Sequence, residues 1–410
     1  MSNDQKLDVA PPYTAVARHG VSPSASHDEI ARFDFLANFN KFISGALGPG
    51  NKLAYDNRVL PKFEKEHGRE PQDRFEIRHA MNDDPFHQFW SALKRNSMEM
   101  RQQNGRALVL RQIDELNAKA RQFNEDRDSL ELNPEIEIPR YQNAVDIHCM
   151  PGSYHGEEQS GDVSAGANYD CGIFATTAGG LGALSDGGGQ ALAEWIGKQR
   201  PGWEPRRVLD IGCTIGHNIV PLALAFPNCE IVAIDTAAPI LRYAHARAQS
   251  LGATNIKFIQ ANAEDLSRWD DGTFDWVQTT MFLHETSGKA LPKILSEGYR
   301  VLADDGLMLH LEQPEYHDGM PLFEQFLRDW DAFNNNEPFW SSMHSLDMKG
   351  QMVAAGFARE ELFETGVRAV VDREIFPEAP TGEDEDHGRA AYWHAYGAWK
   401  NSSQMQEAAE

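Results

Sequence analysis

The chain has 410 residues, 41% of them hydrophobic and 10% aromatic, which describes a folded protein with room for two or three packed domains and excludes a disordered one. Its 62 acidic against 38 basic residues give a formal charge of −24, which speaks against a sequence-independent grip on nucleic acid and against an anionic membrane surface. Cys149, Cys171, Cys213 and Cys229 lack Cys-x-x-Cys spacing, so neither a zinc site nor a disulfide framework is expected. Reduced thiols, a polar start without an apolar signal core and no run of membrane-spanning length make a cytoplasmic protein the expectation.

Residues 1–26 have no apolar periodicity and are expected to be a mobile arm. From His27 the pattern turns helical: Ile30, Phe33, Phe35, Leu36, Phe39, Phe42 and Ile43 recur at three- and four-residue spacings, the mark of a buried face. Glycines across 45–50 are expected to break it. A second helical block over 72–123 carries Phe75, Ile77, Phe86, Phe89, Trp90 and Leu93, then Leu108, Leu110, Ile113 and Leu116. Aromatics at helical spacing read as core. Residues 27–140 therefore form a helical domain, either a cap over an active site or a dimerisation surface.

Residues 141–189 are dense in glycine but also hold Asp146, His148, Cys149, Tyr154, His155, Glu157, Asp162, Tyr169 and Asp170. A flexible linker would be simpler in composition, so an ordered loop that brings polar groups to a cleft is one expectation, and a solvated surface loop the other. His148, Cys149 and His155 match no standard ligand spacing, and no metal is expected.

From residue 190 the pattern alternates. A helix over 190–199 leads to the apolar run Val208, Leu209 and Ile211, then Gly212 and Gly216 bracket a tight turn into a helix over 218–226. A second strand closes on Asp235, a helix spans 239–250, and strands follow at 256–260, 274–277 and 306–311 with a helix at 290–302. This is the order of an open parallel sheet, whose ligands bind at the carboxyl ends of the strands. Asp235 stands where a carboxylate grips the hydroxyls of a ribose.

The run Asp210-x-Gly212-x-Thr214-x-Gly216 resembles motif I of the class I S-adenosylmethionine (SAM) methyltransferases, D/E-x-G-x-G-x-G, and departs from it at Thr214. The resemblance, which covers about 190–376, implies an α/β fold: a Rossmann-like, seven-stranded, mostly parallel sheet, here with an added N-terminal helical domain. It implies that Asp210 and Gly212 lie against the methionine end of SAM and Asp235 against its ribose. The stretch 261–266 looks like the family's adenine motif, with Asn262 as its leading residue. Cys213, Thr214, Gly216, Thr236, Ala263 and Thr280 complete the expected cofactor set. By the same resemblance the segment before motif I folds over SAM, with Tyr154 or Tyr169 packing on the cofactor. His148, Tyr154, His155, Tyr169 and Met281 are the expected substrate-side residues.

His284 and Glu285, after the fourth strand, are the catalytic candidates. An imidazole there can take a proton from a hydroxyl, with a carboxylate to orient it, and related O-methyltransferases use a histidine at a comparable place. Pocket lining and a helix cap are the plainer alternatives. An insertion at 314–345, rich in aromatics, is expected as a substrate lid or as ordinary helix core. Strands at 360–364 and 367–376 would close the domain (190–380) as a hairpin. A tail (381–410) would hold an acidic loop at 383–386 and a short helix at 390–400.

The expected function is SAM-dependent methyl transfer to a heteroatom of a small molecule, oxygen favoured, with S-methylation of a thiol or N-methylation as alternatives. No nucleic acid or membrane partner is expected; a homodimer through the helical domain is possible. An NAD-dependent dehydrogenase is disfavoured by the missing G-x-G-x-x-G and by Asp210. A non-catalytic scaffold would tolerate Thr214 and Asn262.

Overall fold

The computed structural model describes residues 9–125, 127–177, 179–317, 319–368, 370 and 392–401. The N-terminal half is a stack of helices: α1 (His27–Lys41), α2 (Pro49–Ala54), α3 (Leu60–His67), α4 (Arg74–Met81), α5 (Pro85–Leu110) and α6 (Ile113–Asn124). Their starts are written locally. Ser26 and Glu29 form a capping box, Asp73 caps α4, and Asp84 caps α5 with Pro85 in its first turn.

Three expectations for this half are corrected. Residues 45–50 do not break the helical path, because π-helical turns at Phe42–Leu47 and Tyr55–Val59 carry it on either side of α2. Gly50 is there for contact instead: a Cβ would overlap the Phe86 ring. Phe35, Phe42, Phe75 and Phe89 are about half exposed, because the helices offer more apolar surface than their neighbours cover. The described part of the arm is docked. Tyr13 is buried, stacks on Phe33 at 4.3 Å and lies edge-on to Phe174. Its N–H donates to Asp34 at 2.6 Å, and His19 pairs with Asp170 at 2.7 Å.

A two-residue strand, β1 (Leu130–Glu131), follows, then α7 (Arg140–Asn143) and α8 (Ser164–Thr177). Within the region expected as an ordered loop, residues 164–177 are helical, while the stretch from Ala144 to Val163, which carries His148, Tyr154 and His155, is a loop with one short turn of helix at Ile147–Cys149. In α8, Gly166 serves close packing: a Cβ there would overlap the Tyr243 side chain. Next come α9 (Gly187–Gln199), β2 (Arg207–Ile211), α10 (Ile219–Ala225), β3 (Glu230–Asp235), α11 (Ala238–Ser250), β4 (Ile256–Gln260), β5 (Phe274–Thr280), α12 (Ala290–Val301) and β6 (Leu302–Leu311). The insertion holds α13 (Leu322–Arg328), α14 (Trp330–Asn334) and α15 (Trp340–Met343). After it come α16 (Met348–Ala355), β7 (Leu362–Arg368) and β8 (Tyr392–Trp399).

The strands form one mixed sheet in the order β1-β4-β3-β2-β5-β6-β8-β7, parallel as far as β6, with β8 antiparallel to both its neighbours. The seven-stranded count is met with β8 (Tyr392–Trp399) as its seventh member, and β1, contributed from just after the helical half, adds an eighth beside β4. Residues 392–399 form a strand where a helix was expected. Trp393, Ala395, Tyr396 and Ala398 are all buried because β8 is an interior strand, covered on both faces, and that erases the alternation of an edge strand. β7 runs straight through Gly366 to Arg368, joining the expected strand at 360–364 to the start of the one expected at 367–376, and pairs with β8. Residues 371–376 and the acidic 383–386 lie outside the described residues.

Apolar cores lie against both faces of the sheet. One includes Leu192, Ile219, Ile231 and Trp276, the other Leu209, Ile234, Leu291 and Met308. A third joins the arm, α1, α5, α8 and α11. The insertion packs against the N-terminal helices: Phe323 lies 4.9 Å from Tyr55, Trp330 6.0 Å from Trp90, and Arg74 pairs with Asp329 at 2.6 Å. Most of its aromatics are helix core. The chain order reverses between β3 and β5 around β2, so a crevice opens above the carboxyl ends of these strands.

Candidate active site

The turn after β2 alternates into the left-handed region at Gly212 (φ 73°), Thr214 (φ 44°) and Gly216 (φ 71°). Thr214 holds a conformation that suits glycine. The turn is tied to the end of β3. The N–H groups of Gly212 and Cys213 donate to Ile234 O at 2.9 and 3.1 Å, and that of Thr214 to the Asp235 carboxylate at 3.1 Å. The other Asp235 oxygen accepts from Ala237 N–H at 3.0 Å. A Cβ at Gly212 would overlap the Phe282 ring.

Asp210 is buried and accepts from Gln278 Nε2 at 3.0 Å. Burial pushes its carboxyl up to about 7, and burial pushes that of Asp235 up to about 6 against the pull of the backbone donors. Neither has a Lys or Arg partner among the described residues. Two such carboxylates suit a cation and hydroxyl donors. Thr280, at the end of β5, has a buried hydroxyl with no protein partner. Carboxylates short of a cation and an orphaned hydroxyl, all above the strand ends, fit SAM.

The remaining cofactor candidates surround this turn. Thr236 Oγ donates to Gln142 at 2.6 Å, so the stretch after α6 reaches across the end of β3. Asn262 Oδ1 accepts Glu264 N–H at 2.9 Å and keeps one lone pair. Ala263 is buried in the second core, and the buried Cys213 thiol points at Thr214 O.

A second group lies beyond the ends of β5 and β6. His284 Nδ1 is 2.6 Å from Glu312 Oε1, and its Nε2 is 3.8 Å from Glu337 Oε2. Trp340 lies edge-on to its ring at 4.9 Å. His148 Nε2 meets Glu285 at 3.0 Å while its Nδ1 meets Glu337 at 3.0 Å. Tyr154 OH donates to Glu285 at 2.8 Å, and Asn335 donates to Glu337 at 2.6 Å. Burial works against charge on both imidazoles. The carboxylates override it, Glu312 chiefly for His284, which rises to about 9, and Glu337 with Glu285 for His148, which rises to about 10.

His148 and Cys149 have φ of 53° and 56°, a strained pair of residues of the kind that gathers at functional sites. Tyr154 and Tyr169 have ring centroids 5.7 Å apart, and Tyr169 lies 5.9 Å from His217, which bonds Thr214. Aromatic rings thus bridge the two groups.

The structure therefore gathers His148, Tyr154, Tyr169, His284 and Glu285 in one place. It turns Glu285 toward His148 and Tyr154, so the carboxylate that orients His284 is Glu312 instead. His155 stays half-buried apart from these contacts, and burial lowers its pKa. Met281 (φ 52°) receives a hydrogen bond on sulfur from Gln313 at 3.8 Å. Among the described residues no three His, Cys, Asp or Glu side chains are arranged to hold a metal ion. The reading missed Glu312, Glu337 and Asn335. Glu312 was findable, being an acid just past a parallel strand beside β5. Glu337 and Asn335 sit in the insertion, where no spacing marks them.

Fold and site together define a class I SAM-dependent methyltransferase. A methyltransferase-domain family model matches residues 208–306. The chain is 30% identical over 186 residues to a demethylmenaquinone methyltransferase of Thermus thermophilus, covering 40% of this chain and 81% of that one. It is 35% identical over 65 residues to a ribosomal RNA small subunit methyltransferase G of Streptococcus pyogenes, 16% of this chain and 27% of that one. Among solved structures it resembles a phosphoethanolamine N-methyltransferase 2 of Haemonchus contortus at 16% identity and a TM-score of 0.39, covering 57% and 58% of the two chains. The chain belongs to the SAM-dependent methyltransferase family. That membership removes the dehydrogenase alternative. Among the described residues no helix is long and apolar enough to cross a membrane.

Proposed function

We propose that this enzyme methylates a hydroxyl oxygen of a small molecule, with His284 as the general base. The carrying observation is the buried His284–Glu312 pair, which leaves Nε2 on the far side of the ring, 3.8 Å from the Glu337 carboxylate of the insertion. Asp210, Gly212, Cys213, Thr214 and Gly216 would hold the methionine end of SAM, Asp235 and Thr236 its ribose, Asn262 and Ala263 its adenine, with Thr280 below the reacting centre. When bound, SAM supplies an electrophilic methyl group on a sulfonium.

The residues do the rest. In its neutral form His284 takes the acceptor proton at Nε2, while Glu312 fixes the tautomer with the proton on Nδ1. Tyr154, Tyr169, His148 and Met281 line the acceptor side. Trp340 and Glu337, carried by the insertion, cover His284 and would keep water from it, and the helical half backs them as a cap. The strongly acidic charge of the chain supports a small acceptor over RNA.

The test is S-adenosylhomocysteine (SAH) release across phenols, carboxylates, amines and thiols. Product on hydroxyl acceptors, lost at least about a hundredfold in H284A with SAH affinity unchanged, supports the reading. Turnover only on thiols or amines, at the wild-type rate in H284A, overturns it.

A further inference from the structure

Arg101 lies in the middle of α5, faces α8 and is almost wholly buried. Its Nη1 donates to the Thr176 hydroxyl, and its Nε has no partner. The guanidinium lies over Gly172, where an added Cβ would stand in ordinary contact with Nε at 3.4 Å. No carboxylate pairs with it among the described residues. Its strongest electrostatic neighbours are the phenols of Tyr169 and Tyr154 and the thiols of Cys149 and Cys171. An arginine stays charged in a protein, and a buried charge without a counter-ion is costly. Evolution of a plain helix contact would place an apolar side chain there.

The surroundings are polar and under-used as well. Both amide atoms of Asn104 and the Asn168 oxygen are buried without partners. Tyr169 makes no hydrogen bond through its hydroxyl among the described residues. This cluster is wired to the His148–Glu285 group: Asn168 Nδ2 donates to Gln102 at 2.8 Å, and Gln102 donates to the carbonyl of His148 at 2.9 Å. Tyr154, on its other side, bonds Glu285.

We propose that Arg101, with the Tyr169 hydroxyl beside it, is the anchor for a carboxylate group of the methyl acceptor. The acceptor would then be a small acid, held at its carboxylate by the helical half while its other end meets His284. This rests on the group around His284 and His148 being the methyl-transfer site. The same chemistry is offered by the carboxylate of SAM's methionine moiety, and the experiment separates the two sources.

Calorimetry on the full chain saturated with SAH would titrate acetate, benzoate and phenylacetate against the corresponding amides. The expected result is binding of at least one acid over its amide, weakened at least about tenfold in R101M and partly restored in R101K. SAH affinity should stay within about twofold. R101M should melt no lower than the wild type, because it removes an unpaired buried charge; that result also shows the variant is folded. No acid preferred over its amide in the wild type, or an unchanged preference in R101M, overturns the proposal. So does a loss of SAH affinity in R101M that spares 5′-methylthioadenosine, which lacks the carboxylate, because the anion would then be the cofactor's. The readout is binding, so silence in the methylation panel would sink the proposed reaction and leave this result standing.

Discussion

His284 Nδ1 and Glu312 Oε1 sit 2.6 Å apart, both side chains buried, one just past β5 and the other just past its parallel neighbour β6. Glu312 also accepts the His284 backbone N–H at 3.2 Å, so it fixes both the ring and the turn that carries it. Replacing it by glutamine keeps the shape and removes the charge. E312Q should lower the pKa of His284 and slow turnover by about ten- to a hundredfold, with SAH affinity unchanged. A pH–rate profile that does not move toward acid in E312Q would separate Glu312 from the proton transfer.

As the proposed base, His284 must lose a proton that Glu312 and Glu337 hold on it. With its pKa raised to about 9, kcat/KM should climb with pH by up to tenfold per unit and level off near that value. H284A should flatten the profile. The stability effect runs the other way. A folded pKa above the unfolded one stabilises fully below about 6.5, and that contribution is lost as pH rises through about 9. Melting temperature should therefore fall across the same window in which activity rises, and less so in H284A.

Asp235 accepts backbone N–H groups on both oxygens, and burial has raised its pKa to about 6. D235N keeps the size but exchanges a charged acceptor for a neutral amide. SAH affinity should fall by about 1–3 kcal/mol, roughly five- to a hundredfold, in calorimetry. Unchanged affinity would remove Asp235 from the ribose.

Thr214 takes φ of 44° in the motif turn. T214G removes the Cβ from a left-handed position and should raise stability by about 0.5–1 kcal/mol, less the entropy glycine adds to the unfolded chain. A lower melting temperature would mean that the Thr214 hydroxyl, 3.3 Å from His217, contributes more than the strain costs.

Tyr13 tests the docked arm. Its ring is buried on Phe33 and Phe174, so Y13A should cost about 3 kcal/mol or more by denaturant titration. A cost near zero would return residues 9–26 to the mobile arm the sequence suggested.

The contrast between Asp210 and Glu337 shows how much was legible. The parallel strands, Gly212 and Asp235 were readable because strand burial and turn geometry are local, and the chemistry of their positions follows from sequence spacing. Glu312 was half legible, by its place after a strand. Glu337, Asn335 and Arg101 were not. Their meaning depends on which helix lies opposite, and nothing in the residues around Arg101 records that Gly172 and Thr176, seventy-one and seventy-five positions on, will lie against it. Helix α8 was hidden for a related reason: glycines that permit close helix contact look like loop residues in composition. Strand β8 was misread because an interior strand has no polar face, and Trp393, Tyr396 and Trp399 mimic helical spacing.

The placement of β8 between β6 and β7 has a kinetic side. Both neighbours are synthesised earlier, yet neither can close the sheet until residues 392–399 arrive between them. Until then β6, whose end bears Glu312, presents an open edge, and β7 has no strand to lie against. Long-range pairing of this kind folds slowly and leaves edges exposed to other chains. The active site is therefore among the last parts of the molecule to be assembled, and aggregation during refolding should be most sensitive to substitutions in β8.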